Sequence, residues 1–178
     1  MSKKFSDLGI NKELQQSLLD LNIVVPTLVQ EKTIPPILNE TKDIVVLAKT
    51  GTGKTAAFGL PLLQLMDIDS PTIQAVILAP TRELGQQIYA NLVSFAAQSS
   101  SISIIPIFGG TPIKPQIESL KSCPNIVVAT PGRMVDLLKR DEINIKNLKY
   151  LVLDEADEMV SALKDDLDVI IAEIPNTR

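Results

Sequence analysis

Five short apolar runs recur along this sequence, and longer segments with helical patterning separate them. The runs are rich in β-branched residues and do not alternate between polar and apolar positions. Continuous apolar runs of this kind predict strands that are buried on both faces, as in a parallel sheet. The repeated strand-then-helix order therefore predicts an α/β domain, with a mainly parallel sheet and helices on both faces. The predicted strands are residues 43–48, 74–79, 102–108, 125–129 and 149–153.

Helix signals fall between the predicted strands. Asn11 can cap one helix, and a second helix is expected over about residues 27–38, where Pro35-Pro36 should kink or split it. In a sheet of this type, ligands bind at the carboxyl ends of the strands. Unusual residues at those ends are therefore candidates for function. Further helices are expected to begin near Gly53, Thr81, Thr111, Thr130 and Asp157.

The composition excludes several classes of site. The 178 residues suit one domain and contain no histidine, which excludes Ser-His-Asp and Cys-His catalysis. Cys123 is the single cysteine, so an internal disulfide and a cysteine-cluster zinc site are excluded. We expect it to be reduced and buried in a cytoplasmic protein. No apolar run is long enough to span a membrane, and no secretory signal follows the first lysines.

Charge and aromatic content limit the ways in which this chain can bind nucleic acid. Aromatic residues make up only 3% of the sequence, which disfavours a wide stacking platform for single strands. The net charge of −4 argues against a simple basic nucleic-acid module. A local phosphate-binding strip remains compatible with both observations.

A glycine-containing loop follows the first predicted strand. It fits the phosphate-loop pattern G-x-x-x-x-G-K-[ST], except that Ala48 replaces the first glycine. Gly51 and Gly53 let backbone N–H groups approach a phosphate, toward which the following helix directs its N-terminus. Lys54 would reach the β- and γ-phosphates, and the Thr55 hydroxyl would bind Mg²⁺. The alternative is an ordinary turn before a surface lysine. The loop reads Ala48-Lys49-Thr50-Gly51-Thr52-Gly53-Lys54-Thr55.

An acidic quartet, Asp154-Glu155-Ala156-Asp157, ends the last apolar run. In a phosphate-loop enzyme, Asp154 would hold Mg²⁺, largely through water, and Glu155 would orient or deprotonate the attacking water. The alternative is an acidic first turn that complements a helix dipole. Because a phosphate loop precedes the quartet, we favour the first interpretation and predict Lys54, Asp154 and Glu155 as catalytic.

These motifs together resemble the DEAD-box RNA helicases over practically the whole chain. The acidic quartet spells the family name, and Pro26-Thr27-Leu28-Val29-Gln30 resembles the adenine-reading Q motif, with Phe5 as its upstream aromatic residue. Two departures are visible, because Asn22-Ile23 replaces a usual glycine and aromatic, and Gly85 replaces a usual alanine. Three further segments resemble the strand-binding motifs: Pro80-Thr81-Arg82-Glu83-Leu84, Gly109-Gly110 and Thr130-Pro131-Gly132-Arg133.

The resemblance implies one RecA-like domain that binds ATP or ADP with Mg²⁺ and contacts the backbone of single-stranded RNA independently of sequence. Residues 1–30 would be the Q-motif region, and residues 31–178 the ATP-binding domain. A second RecA-like domain, absent from this chain, would supply the arginine fingers and half of the RNA site, and Asp157 would take part in coupling to it. The resemblance therefore implies an enzyme whose isolated first domain is a nearly inactive monomer. It adds Phe5, Pro26, Thr27 and Gln30 to the ATP site and assigns RNA binding to Pro80, Thr81, Arg82, Gly109, Gly110, Thr130, Pro131, Gly132 and Arg133.

Physical chemistry supports two of these roles. The Gln30 amide can both donate and accept, which matches adenine N6 and N7. Thr130 suits a helix N-cap and Pro131 the first helical position, so Arg133 would lie near a helix N-terminus that can bind a backbone phosphate. Such contacts read phosphate and sugar, so the residues alone do not distinguish RNA from DNA.

Two other functions stay open from the sequence. Another phosphate-loop enzyme, such as a kinase or GTPase, is one, although no Asn-Lys-x-Asp segment for guanine follows the acidic quartet. The second is an adaptor that binds nucleotide or RNA but never hydrolyses the nucleotide. Comparing the ATPase rate with and without RNA would separate these possibilities.

Overall fold

The structure is a computed structural model that describes residues 3–39, 42–99 and 101–174. Backbone contacts divide the chain into two units. The first contains Met1–Met66 and Ala90–Ser101, and the second contains Asp67–Tyr89 and Ile102–Arg178. Each unit has its own buried apolar residues and its own set of candidate functional residues.

The first unit begins with a short 3₁₀ helix, Phe5–Leu8, followed by helices α1 (Lys12–Asp20), α2 (Leu28–Asn39) and α3 (Lys54–Leu65). The predicted cap of α1 is confirmed, because the Asn11 side chain accepts a hydrogen bond from the Leu14 N–H at 2.9 Å. Helices α2 and α3 pack against each other. The side chains buried in this unit include Phe5, Leu14, Leu18, Ile34, Leu60 and Leu63.

Helix α2 is not split at its two prolines, and the alternative expectation of a kink there stays a prediction. Pro35 and Pro36 lie inside a single helix that continues to Asn39. Ile34, beside them, is fully buried, and the whole helix packs against α3. Tertiary packing therefore overrides the low helix propensity of proline at these positions.

The strand predicted over residues 43–48 is wrong. No strand is assigned there, and the Val45 and Leu47 side chains are 87% and 95% exposed. Apolar β-branched residues favour a strand, but a strand forms only where a neighbouring strand supplies its hydrogen-bond partners. Every strand that pairs within the described residues lies in the second unit.

The second unit is built on a four-stranded parallel sheet, as predicted. Its strands are β1 (Ala75–Leu78), β2 (Ile104–Ile107), β3 (Ile126–Ala129) and β4 (Tyr150–Leu153), in the order β2-β3-β1-β4. The pairing is in register, so the last residue of β1 lies beside the last residues of β3 and β4. The last residue of β2 likewise pairs with the last residue of β3. The carboxyl ends of all four strands therefore meet at one edge of the sheet.

Helices follow the strands of this sheet, which confirms the α/β class. Every residue of β1 and β3 is buried, whereas β4 is half-buried along its length. These helices are α4 (Arg82–Phe95), α5 (Ile113–Leu120), α6 (Pro131–Lys139), α7 (Ala156–Ala162) and α8 (Lys164–Ala172). The first four begin within two residues of the predicted starts, whereas the start of α8 was not predicted.

Cys123 corrects a further expectation, because it is exposed rather than buried. It follows the end of α5 and takes a left-handed conformation with φ of 53°, in which its N–H donates to the Leu120 carbonyl. The average burial of free cysteines predicted the opposite, but the turn at a helix end decides the exposure here. Separately, none of the helices in the described residues combines the length and apolarity needed to cross a membrane.

Candidate functional site

The loop before α3 contains two glycines with positive φ. Gly51 and Gly53 have φ values of 82° and 88°, a region that side chains other than glycine adopt only with strain. Helix α3 begins directly after Gly53, at Lys54. Lys54 and Thr55 are half-buried in its first turn, and the adjoining Ala56 is buried. The structure thus places the predicted lysine and hydroxyl at a helix N-terminus, where an anion is stabilised.

The glycine loop is fixed to the segment that contains Thr27 and Gln30. The Thr27 hydroxyl donates to the Thr52 carbonyl at 2.9 Å, and the Gln30 amide donates to the Gly53 carbonyl at 3.1 Å. The Gln30 side-chain oxygen accepts from the Thr27 N–H at 2.9 Å. The first two bonds join two motifs that lie more than twenty residues apart, and the third links Thr27 to Gln30 within one of them. We call the three bonds together the Thr27–Gln30 latch.

Two features of the structure require glycine at position 53. A Cβ atom at Gly53 would clash with Gln30 Nε2, and the positive φ of Gly53 strains any other residue. At Gly51, by contrast, no atom would lie within 4 Å of an added Cβ, so only the conformation demands glycine. The loop also closes on itself, since the Thr52 hydroxyl donates to the Lys49 carbonyl at 2.7 Å.

The other predicted adenine-side residues lie mainly inside the first unit. The Phe5 side chain is 4% exposed, and Pro26 is also buried. Gln30 is 4% exposed, and its oxygen and one N–H group are used within the protein. The structure brings Gln30 to the phosphate loop, and adenine recognition by Gln30 and Phe5 stays a prediction.

The acidic quartet follows β4, as predicted. Asp154 is 8% exposed, and its N–H donates to the Leu78 carbonyl at 3.0 Å, which extends the sheet by one residue. Glu155 takes the left-handed conformation, with φ of 55°, at the turn into α7. Non-glycine residues in this conformation are uncommon and concentrate at functional sites. Asp157 is exposed in the first turn of α7.

The three predicted strand-binding motifs follow β1, β2 and β3, and the parallel register brings them together. The Gly109 N–H donates to the Thr130 hydroxyl at 3.1 Å. A Cβ atom at Gly110 would lie 4.0 Å from Arg82 Nη1, so the first motif adjoins the second. Helix N-termini follow two of these strands, at Arg82 and Pro131. The grouping at one sheet edge is the arrangement that the sequence predicted.

Thr130 and Arg133 make contacts that the sequence did not reveal. Thr130 and Pro131 occupy the predicted N-cap and first helical positions, but the Thr130 hydroxyl makes no capping bond to α6 and accepts from Gly109 instead. Arg133 Nη2 donates to the Thr111 carbonyl at 2.9 Å, and Nη1 is buried. Thr111 also bonds Gln116, which no motif singled out. Gln116 of α5, Arg133 of α6 and the N-cap residue Thr130 therefore form one polar cluster with residues 108–111.

Comparisons with known proteins agree with these motifs. The family model for DEAD/DEAH box helicases matches residues 27–178. The chain is 42% identical over 176 residues to the DEAD-box ATP-dependent RNA helicase CshA of Streptococcus pneumoniae, covering 98% of this chain and 33% of that protein. It is 40% identical over 177 residues to CshA of Bacillus subtilis, covering 99% and 35%. The chain thus spans about a third of the length of these curated relatives.

Solved structures show the same similarity. A DEAD box protein from the hyperthermophile Methanococcus jannaschii superposes with a TM-score of 0.91 at 38% identity, over 98% of this chain and 48% of that one. Dbp5 of S. cerevisiae, solved bound to RNA and ADP BeF₃, gives a TM-score of 0.88 at 29% identity, over 98% and 44%. The RecA-like form of the α/β fold is therefore shown.

Proposed function

Because this chain belongs to the DEAD/DEAH box helicase family, we propose that it is the ATP-binding domain of an ATP-dependent RNA helicase. In this proposal residues 1–30 lead into a RecA-like domain over residues 31–178. A second RecA-like domain of a longer protein completes the enzyme. The observation that carries the proposal is the glycine loop, which has two positive φ values and a helix that begins directly at Lys54.

The glycine loop would hold the nucleotide phosphates through its backbone N–H groups and through Lys54. The chemistry of the donors fits Mg²⁺, since this ion prefers oxygen ligands and the predicted ligands are the Thr55 hydroxyl and the Asp154 carboxylate. The bound ion would neutralise charge that develops on the γ-phosphate. Glu155 would orient the attacking water and accept its proton.

RNA would lie along the carboxyl edge of the sheet in the second unit. The motifs after β1, β2 and β3 adjoin there, and they offer backbone N–H groups, helix N-termini and the Arg82 side chain. Groups of this kind contact phosphates and sugars, so sequence-independent binding is expected. The monomeric state and the cytoplasmic location inferred from the sequence stay predictions.

The decisive experiment measures nucleotide binding. Titration of the 178-residue chain with fluorescent ADP and ATP in Mg²⁺ should give saturable binding that Lys54→Ala weakens at least tenfold, because it removes the cation facing the phosphates. Lys12→Ala is the matched control, since Lys12 is also the first residue of a helix in the same unit, is exposed and lies outside the glycine loop. Equal binding by wild type and Lys54→Ala would contradict the assignment of the loop.

Turnover separates this function from the two others that the sequence left open. A helicase domain should prefer adenine nucleotides and gain ATPase activity with RNA when the second domain is joined to it. A GTPase or kinase would not respond to RNA. An adaptor would bind ATP and RNA without hydrolysis even in the longer protein.

A further inference from the structure

The loop between β2 and α5, residues 108–111, contains the predicted strand-binding glycines and is held from the side of α5 by one glutamine. Gln116 Nε2 donates to the Phe108 carbonyl at 3.0 Å and to the Thr111 hydroxyl at 2.6 Å. The Thr111 hydroxyl in turn donates to the same Phe108 carbonyl at 3.1 Å. Gln116 therefore bonds to both ends of a four-residue loop.

The same loop is held from the side of α6. Arg133 Nη2 donates to the Thr111 carbonyl at 2.9 Å, and the Thr130 hydroxyl accepts from the Gly109 N–H at 3.1 Å. Gly110 has a φ of 72° and is exposed. Its N–H donates to no acceptor within the described residues. The loop thus contains an exposed residue, Gly110, whose N–H is unpaired among the residues that the structure describes, at the edge where a phosphate is expected.

We propose that Gln116 is a positioning residue for RNA binding, and that Arg133 is its counterpart on α6 rather than a phosphate ligand. This inference rests on the proposed function of the second unit. In this proposal Gln116 and Arg133 hold residues 108–111 in the conformation in which the exposed Gly110 can offer its N–H to a phosphate. The backbone of the loop contacts the RNA, and the Gln116 and Arg133 side chains affect RNA binding only by holding that backbone in place.

The buried atoms of the two side chains support this division of roles. Gln116 Oε1 and Arg133 Nη1 are the buried side-chain polar atoms that lack a partner in the described part of the chain. One is an acceptor and the other a donor, and both side chains bond Thr111. Arg133 Nη1 is buried, so a phosphate on the surface does not reach it, and Nη2 already donates to the Thr111 carbonyl of the loop. In this proposal the guanidinium therefore serves the loop rather than an ion pair with RNA.

The salt dependence of RNA binding tests the proposal. A side chain that contacts a phosphate contributes about 0.7 to the slope of log K against log salt for a single strand, whereas a positioning residue contributes nothing. Binding of a fluorescent single-stranded oligouridine to the 178-residue chain would be measured from 25 to 150 mM salt. The variants are Gln116→Leu, Gln116→Glu and Arg133→Gln. Ser119→Ala is the matched control, because its hydroxyl bonds only the Pro115 carbonyl of the same helix.

We expect each of the three variants to weaken RNA binding about fivefold, the factor that corresponds to the loss of one ordinary hydrogen bond. The salt slope and the affinity for ADP should stay at the wild-type values. Amide hydrogen exchange at Gly109 should accelerate, which reports directly on the loosened loop. Gln116→Glu keeps the size of the side chain, so it retains the test if the leucine variant folds poorly.

Three results would overturn the inference. Wild-type RNA affinity in both Gln116 variants would show that the glutamine positions nothing that RNA uses. A shallower salt slope in Arg133→Gln would make Arg133 a phosphate ligand. Failure of the wild-type chain to bind RNA would contradict the proposed function and the inference with it, and this outcome is distinguishable because no variant is needed to see it.

Discussion

At the scale of single residues, Gly85 shows how a departure from a family pattern can have a local cause. The sequence places glycine where alanine is usual, and the structure packs the Phe108 ring against it. A Cβ atom at Gly85 would lie 2.5 Å from Phe108 Cε1 and 3.0 Å from Cζ. The missing methyl group therefore makes room for the aromatic ring that immediately precedes Gly109.

We predict that Gly85→Ala lowers the free energy of unfolding by about 1–2 kcal/mol, because overpacking outweighs the better helix propensity of alanine. Phe108→Leu in the same chain should recover most of this loss, and a double-mutant cycle from urea unfolding measures the coupling. Gly132→Ala is the control, since its new Cβ would meet Asp166 Oδ2 at an ordinary 3.5 Å. A more stable Gly85→Ala chain would show that Phe108 moves freely.

Whether Gln30 recognises adenine is a separate question, because its amide already forms hydrogen bonds in the Thr27–Gln30 latch. We predict that Gln30→Ala narrows the preference for ATP over GTP by about tenfold, as expected for losing a bidentate contact with the base. Isothermal titration with both nucleotides measures the ratio. Equal losses for ATP and GTP would mean that Gln30 acts on the loop and not on adenine.

Gln64→Ala provides the matched control for that measurement. Gln64 also accepts one bond from a backbone N–H and donates one to a carbonyl, at Asn11 and Gly9 in the same unit. Its replacement removes the same pair of hydrogen bonds without touching the glycine loop. It should leave the ratio of nucleotide affinities unchanged.

At the scale of elements, helix α6 carries a charge effect that no motif predicted. Asp166 on α8 places a carboxylate oxygen beside the first turn of α6, 3.5 Å from where a Gly132 Cβ would lie. A carboxylate is favourable at a helix N-terminus, but it also repels the RNA phosphate that the same terminus is expected to attract. Asp166 therefore stabilises the helix end and opposes the proposed ligand.

We predict that Asp166→Asn raises the affinity for single-stranded RNA about two- to fivefold at low salt, the range of a single charge at a helix end. Fluorescence anisotropy at 25 mM and 150 mM salt would measure the change, which should shrink as screening increases. Asp165→Asn removes an exposed charge one residue earlier and should have less effect. Equal gains from both variants would indicate net charge alone.

At the scale of the whole molecule, the sequence predicted most of the fold through its patterns, and four of the five predicted strands are present. The strand predicted over residues 43–48 was wrong because a strand forms only beside a neighbouring strand that pairs with it. The apolar pattern of one segment contains no information about such a neighbour. The expected split at the prolines of α2 and the expected burial of Cys123 were wrong for the related reason that packing and turn geometry override average preferences. The hydrogen bonds of Gln116 to residues 108 and 111 could not be predicted, because a single glutamine in a helix has no sequence signature.

The chain alone should bind adenine nucleotide but hydrolyse it slowly and leave RNA duplexes intact. Arginine fingers contribute about 10³–10⁵ to the rate in related phosphate-loop enzymes, and the family resemblance assigns them to a second domain. Phosphate release at saturating Mg-ATP and a strand-displacement assay would compare residues 1–178 with a longer protein. RNA-stimulated turnover at the rate of the longer protein would mean that this domain holds a complete active site.

The exposed turn at Cys123 makes this chain convenient for spectroscopy. It is the single cysteine of the sequence, so a thiol-reactive fluorophore or spin label attaches at one position without any substitution. The sequence also lacks tryptophan, which leaves the usual excitation window of that residue free for an introduced reporter. Because Cys123 follows the helix that carries Gln116, a label there reports on α5 when RNA or nucleotide is added to an otherwise native protein.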